Sequence, residues 1–185
     1  MTYSLMAEDN NLTIDKRTFA TSFYEMKVDY DPSPVLNYLK SKHMHKENML
    51  TSFFEHKNIL QEDQLKGFKD HIDRHVFIFV KNVLNKNSFV CESSWFQMYQ
   101  VDSYHPVHIH GISDDEWSLI YYLSASEKSS DTYIYSPGYP YCHGDNKKVK
   151  AETNKFVFFP SYLPHEVQPN KDNERVILSA NITVK

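Results

Sequence analysis

The amino-acid sequence predicts an α+β chain that is mainly β: a helical N-terminal part, then an antiparallel sandwich or barrel of short strands with one long helix across a face. Two observations carry this. Between Gln61 and Lys86, apolar residues recur as Leu65, Phe68, Ile72, Val76, Phe79, Val80, Val83 and Leu84, a helical stripe wide enough to pack on a sheet. After Asn87 the chain changes to short aromatic and β-branched runs, SSWFQMYQV, WSLIYYLS, DTYIYS, KFVFFP and RVILSANITV. No helical period separates them, which implies antiparallel pairing.

Taken in order, FYEMKVDY alternates Tyr24, Met26, Val28 and Tyr30 against Glu25, Lys27 and Asp29, an early half-buried strand that DPSP ends. Pro32 and Pro34 precede VLNYLKSK, a short helix, and the polar HMHKENM that follows reads as a loop. Its His43 and His45 belong to solvated surface. On the long helix, His71 and His75 lie i, i+4 but lack the glutamate of a zinc-binding H-E-x-x-H, which favours a structural role. YPYCHGDNKKVKAETN is an excursion between strands, with His143 on the surface.

Composition narrows the function. The 185 residues, 41% apolar and 15% aromatic, suffice for a core within one domain. Residues 1–88 supply its first strand and supporting helices and 89–185 its β core. A net charge of -4 disfavours nucleic-acid binding. The sequence shows no membrane span and no signal peptide, and Cys91 and Cys142 read as free thiols, so the expected compartment is the cytoplasm. With four glycines, phosphate-cradling loops of the P-loop and dinucleotide-binding kinds have nothing to be built from.

Three of the ten histidines fall in HPVHIHG, residues 105–111. On a strand, His108 and His110 point to one face, a spacing that lets two imidazoles share a metal ion. His105 falls on the opposite face by parity. A third histidine, His165, follows the tight turn between Pro160 and Pro164. A histidine pair from one strand edge and a third from a later strand form a facial metal site with positions left open. Arg175 heads the last strand. If that strand pairs with the one carrying His165, its guanidinium reaches the same cavity and can clamp a carboxylate. Trp117, Tyr121 and Tyr122 are expected in the core.

HIHG with WSLIYYL behind it, FPSYLPHEV and ERVILSANI, in that order, resemble the small iron(II)- and 2-oxoglutarate-dependent oxygenases over residues 90–185. The resemblance implies a double-stranded β-helix (jelly-roll) core. It also implies a dioxygenase that uses Fe(II), 2-oxoglutarate and O2, hydroxylates a substrate such as a protein side chain (prolyl-hydroxylase-like), and releases succinate and CO2. Carried over residue by residue, His108 and His165 match iron ligands and Arg175 the arginine that holds the far carboxylate of 2-oxoglutarate. Tyr99 is placed to donate its hydroxyl to that carboxylate, and Ser179 and Asn181 share the parity of Arg175 along the last strand and line the cofactor cavity. His110 stands where the superfamily usually has Asp or Glu, so either His110 or a carboxylate from Asp114, Asp115 or Glu116 is the third ligand. Two rivals stay open: a cupin-type three-histidine dioxygenase without 2-oxoglutarate, and a non-catalytic metal-binding barrel. The composition resembles that of AT-rich genomes, phages among them, which would make the compartment a host cytoplasm. A monomer and a homodimer both fit the aromatic content.

Overall fold

Whether one strand face is apolar and the other polar decides what this fold can hold between its sheets. The computed structural model describes residues 21–141 and 145–185, so the expectations for Cys142 and His143 lie outside the described residues. The elements run β1 (Tyr24–Lys27), α1 (Ser33–Lys40), β2 (His45–Lys46), β3 (Leu50–Thr51), two 3-10 turns, α2 (Lys66–Asn82), β4 (Phe89–Tyr99), β5 (His105–His108), β6 (Glu116–Ser124), β7 (Thr132–Tyr135), β8 (Asn146–Val149), β9 (Lys155–Pro160), β10 (His165–Val167) and β11 (Arg175–Val184). They form a seven-stranded sheet, β1-β9-β6-β11-β4-β3-β2, and a four-stranded sheet, β5-β10-β7-β8. Every ladder between named strands is antiparallel, as expected. This is the double-stranded β-helix architecture.

The two faces of the large sheet alternate residue by residue. From β6, Leu119, Tyr121 and Leu123 join Phe156, Phe158, Leu178 and Ala180 against α1 and α2, whose Leu39, Phe68, Ile72, Val76 and Phe79 complete that core. The intervening Ile120, Tyr122, Val157, Phe159 and Ile177 turn to the small sheet and meet Ile134, Val149 and Val167. Strand β9 is therefore buried at every position, which is why KFVFFP reads as a continuous apolar run. Trp117, Tyr121 and Tyr122 are core residues, as expected.

Four expectations need correction. The long helix begins at Lys66 rather than near Gln61. Glu62, extended at φ -71° and ψ 134°, is drawn to Tyr38, Lys42 and His56, and two 3-10 turns replace the first helical turn. HMHKENM is no loop, because His45–Lys46 and Leu50–Thr51 pair as a hairpin whose second strand extends the large sheet at Leu50↔Met98. The excursion contains β8, at the edge of the small sheet. Polar residues suit such edges and hide the strand from an apolar pattern. Finally, β10 and β11 do not pair. They lie in different sheets, so Arg175 reaches the small sheet across the barrel.

Among the described residues, no helix is long and apolar enough to cross a membrane.

Candidate metal and cosubstrate site

His108 ends β5 opposite His165 of β10, and His110 lies two residues beyond, where its backbone N–H and that of Gly111 donate to the Ser161 carbonyl at 2.9 and 3.2 Å. Ser161 belongs to the FPSYLPH stretch, so one residue joins the two histidine-bearing segments. A Cβ on Gly111 would lie 2.3 Å from a Glu116 oxygen, so any other residue there would have to push aside the carboxylate that accepts from Ile112 and Ser113.

The three imidazoles offer ligand atoms that all lie within 4.8 Å of one another. Neighbouring donors at about 2.1 Å from one ion lie about 3.0–3.4 Å apart, so the rings must close by about an ångström or more to share one metal. The Nδ1 atoms of His108 and His165 donate to the carbonyls of Pro106 (2.8 Å) and Leu163 (3.0 Å). That fixes the tautomer and leaves each Nε2 with its lone pair for a metal. Burial lowers the pKa of all three, His110 to about 3 and His165 well below its usual range, so they stand in the neutral form that ligation requires.

Among the described residues the cluster holds no carboxylate. Glu116 accepts the backbone N–H groups of Ile112 and Ser113 at 3.0 Å each, and Asp115 is bound to Ser113. The loop consumes these carboxylates internally.

His105 corrects the parity argument. Its ring stacks on His108 with centroids 3.9 Å apart. The register shifts between His165 and Val167, which pair with His108 and His105, and such a bulge brings the extra residue round.

Arg175 is fully buried. Its Nε donates to the Ser130 carbonyl and its Nη2 to Thr132 Oγ1, both at 2.9 Å. Its guanidinium lies over the Tyr99 ring at 4.2 Å and the Tyr122 ring at 5.3 Å. Its Nη1 has no partner, and no carboxylate among the described residues pairs with it. A buried, unpaired cation costs several kcal/mol, so this donor is shaped for an anion.

Between Arg175 and the histidines lies Gln97. Its carbonyl oxygen accepts Tyr99 Oη (3.4 Å) and Ser179 Oγ (3.3 Å), and its amide nitrogen meets His105 Nδ1 at 3.2 Å. Asn181 lines the same inner space, whose volume is about 20 Å³, room for about one water. A larger group fits only if Gln97 swings aside. Gln97, Thr132 and Tyr122, whose hydroxyl meets Thr132 Oγ1 at 2.7 Å, were not singled out from sequence as polar site residues. Strand parity was the available signal: Gln97 shares the parity of Tyr99, as Ser179 does that of Arg175.

Residues 93–181 match the family model described as "Putative 2OG-Fe(II) oxygenase". No curated protein matches the chain. Among solved structures, a 2OG-Fe(II) oxygenase family oxidoreductase from Burkholderia pseudomallei is 15% identical with a TM-score of 0.56, over 67% of this chain and 58% of that one. This chain thus spans under two thirds of that relative. The viral collagen prolyl hydroxylase of Paramecium bursaria Chlorella virus-1, in its 2OG complex, is 14% identical with a TM-score of 0.62, over 88% of this chain and 96% of that one. HygX from Streptomyces hygroscopicus, with nickel, 2-oxoglutarate and hygromycin B bound, is 9% identical with a TM-score of 0.65, over 88% and 83%. At these identities the likeness establishes the fold.

Proposed function

We propose that the chain is an Fe(II)- and 2-oxoglutarate-dependent oxygenase, the family whose model residues 93–181 match, and that it hydroxylates a C–H bond of a protein side chain in the manner of a prolyl hydroxylase. The observation that carries the reading is Arg175: a buried guanidinium with an unpartnered Nη1, across the barrel from three neutral histidines. His108, His110 and His165 would hold Fe(II), each through one imidazole nitrogen. With iron, 2-oxoglutarate and O2 bound, the group supplies the oxidation itself, in which the cosubstrate loses CO2 to become succinate and one oxygen atom enters the substrate C–H bond.

The chain's own part is to bind, orient and exclude water. Arg175 would clamp the far carboxylate of 2-oxoglutarate in a charge-assisted contact. Tyr99, packed on the guanidinium, can turn its hydroxyl to the same carboxylate, and Ser179 and Asn181 line the passage. Gln97 would release Ser179 and Tyr99 as the cosubstrate takes its place. The apolar residues between the sheets keep bulk water from the reacting centre. A three-histidine dioxygenase without 2-oxoglutarate would use the same imidazoles, with Arg175 holding a carboxylate of its substrate instead. We further propose that residues 1–185 act as one domain, as a monomer or homodimer in a reducing cytoplasm, a host's if the source is viral. The free, half-buried Cys91 thiol agrees with that compartment.

The test is an anaerobic titration with Fe(II) and then 2-oxoglutarate, watching for the visible charge-transfer band of a chelated keto acid. The expected band grows to one equivalent of each and is lost in Arg175→Ala. Iron binding without a band overturns the 2-oxoglutarate reading in favour of the three-histidine one.

A further inference from the structure

Outside the histidine cluster a groove of about 330 Å³ opens to solvent, and its inner end is formed by His105, His108 and His110. The β2–β3 hairpin and the residues after it build its outer walls. Rings run in an unbroken series down one side. His45 meets Phe54 at 4.9 Å, Phe54 meets Phe53 at 5.3 Å, Phe53 meets Trp95 at 5.1 Å, and Trp95 meets His110 at 5.5 Å. Phe53 and Phe54 are 50% and 58% exposed, an apolar pair that a bound partner would cover.

Among the described residues, Glu47 is the one carboxylate lining this groove and no Lys or Arg lines it; its Oε1 lies 3.9 Å from His45 Nε2. Fe(II), the 2-oxoglutarate dianion and Arg175 together leave one positive charge deep in the barrel, so Glu47 supplies the negative charge at the mouth. Aromatic faces attract cations through their quadrupole, and a carboxylate beside them reinforces this. Nucleic acid would need basic contacts to its phosphates. A proline ring would use the aromatic faces but desolvate Glu47 without return.

We propose that the groove receives a cationic side chain of a polypeptide, alkylammonium or guanidinium, stacked on Phe53, Phe54 and Trp95 and countered by Glu47, so that its carbon chain lies at the histidine cluster. The inference rests on the oxygenase reading and takes its substrate to be a lysyl or arginyl side chain in place of a prolyl one. A polypeptide is favoured over a free amine because exposed apolar side chains neighbour the groove histidines in sequence, Ile109 (47% exposed) between His108 and His110 and Ile112 (86%) two residues on.

The experiment is calorimetric titration of the full chain, loaded with Fe(II) and 2-oxoglutarate under nitrogen and also metal-free. The probes are acetylated pentapeptides that differ only at the central residue: lysine, its neutral isostere norleucine, arginine, its neutral isostere citrulline, and proline. The expected result is a lysine or arginine peptide held about tenfold more tightly than its neutral isostere, with the advantage erased by Glu47→Gln and reduced by Phe53→Leu and Phe54→Leu. These side chains are exposed enough for the variants to fold, which circular dichroism would verify. Equal binding of the neutral isosteres, stronger binding of the proline peptide, or no binding at all overturns the proposal. The charge-transfer band in the same samples separates the two readings. A band without charge preference sinks the groove's cation specificity alone, whereas charge preference without a band keeps it and sinks the oxygenase reading.

Discussion

The two faces of the large sheet are made by the same strands, yet they spend their residues differently. On the helix side Phe79 and Phe158 stack at 4.1 Å and 11°, and nearly every contact is apolar. On the barrel side the same strands carry Gln97, Ser179 and Tyr99, buried and joined by hydrogen bonds, and Arg175, buried over the Tyr99 ring. Burying polar groups costs free energy even when they are paired. The helix side is therefore where stability is concentrated, and the barrel side is where stability is given up for binding.

The largest expected effect breaks the barrel side alone. His165→Ala should abolish stoichiometric Fe(II) binding, read by anaerobic titration, with a smaller fall in Tm than Phe158→Ala, because the neutral ring is lost from Phe159 and one carbonyl, that of Leu163, loses its donor. A fall in Tm with iron binding intact would reverse the assignment of the two faces. Next is Phe158→Ala, which should cost about 3–5 kcal/mol in denaturant unfolding while leaving the iron stoichiometry of the folded fraction unchanged.

A third variant sharpens the comparison within the barrel. Gln97→Ala should tighten 2-oxoglutarate several-fold in the charge-transfer titration, since the cosubstrate no longer displaces an amide held by Ser179, Tyr99 and His105. Weaker binding would mean that Gln97 contacts the cosubstrate directly.

The smallest effect is on the helix side. Burial, then the nearby His75 and Arg74, lowers the pKa of His71 to about 4, and its Nε2 is unpartnered. The unfolded chain thus takes up this proton more readily than the folded one. Stability from a neutral His71 is present above the usual histidine pKa and is lost as pH falls from about 6.5 towards 4. His71→Phe keeps the stacking on Tyr30 and should narrow the Tm difference between pH 7 and pH 4.5 by about 2–4 °C for each kcal/mol recovered. An unchanged difference would show that other groups carry the acid sensitivity.

Much of this was legible in the chain. The stripe on α2 and the runs of β4, β6, β9 and β11 are strong because each buries a whole face. His108, His110 and His165 were legible because few residue types bind metals and their spacing was distinctive. Gln97 and Thr132 were not, since a single buried amide or hydroxyl leaves no mark on an apolar pattern. His105 was misplaced because a bulge resets strand parity without changing composition, and β2, β3 and β8 were hidden because edge strands are polar.

Local spacing and residue type thus determined the class of fold, the clustered histidines and the place of Arg175 at the head of the last strand. What only the tertiary structure decided was which of them meet: that β10 and β11 face each other from different sheets, that Ser161 pins the His110 loop, that Glu116 is consumed by backbone N–H groups, and that Arg175 is left without a carboxylate. Those are contacts between residues distant in sequence. They depend on register and sheet packing, which no local pattern encodes.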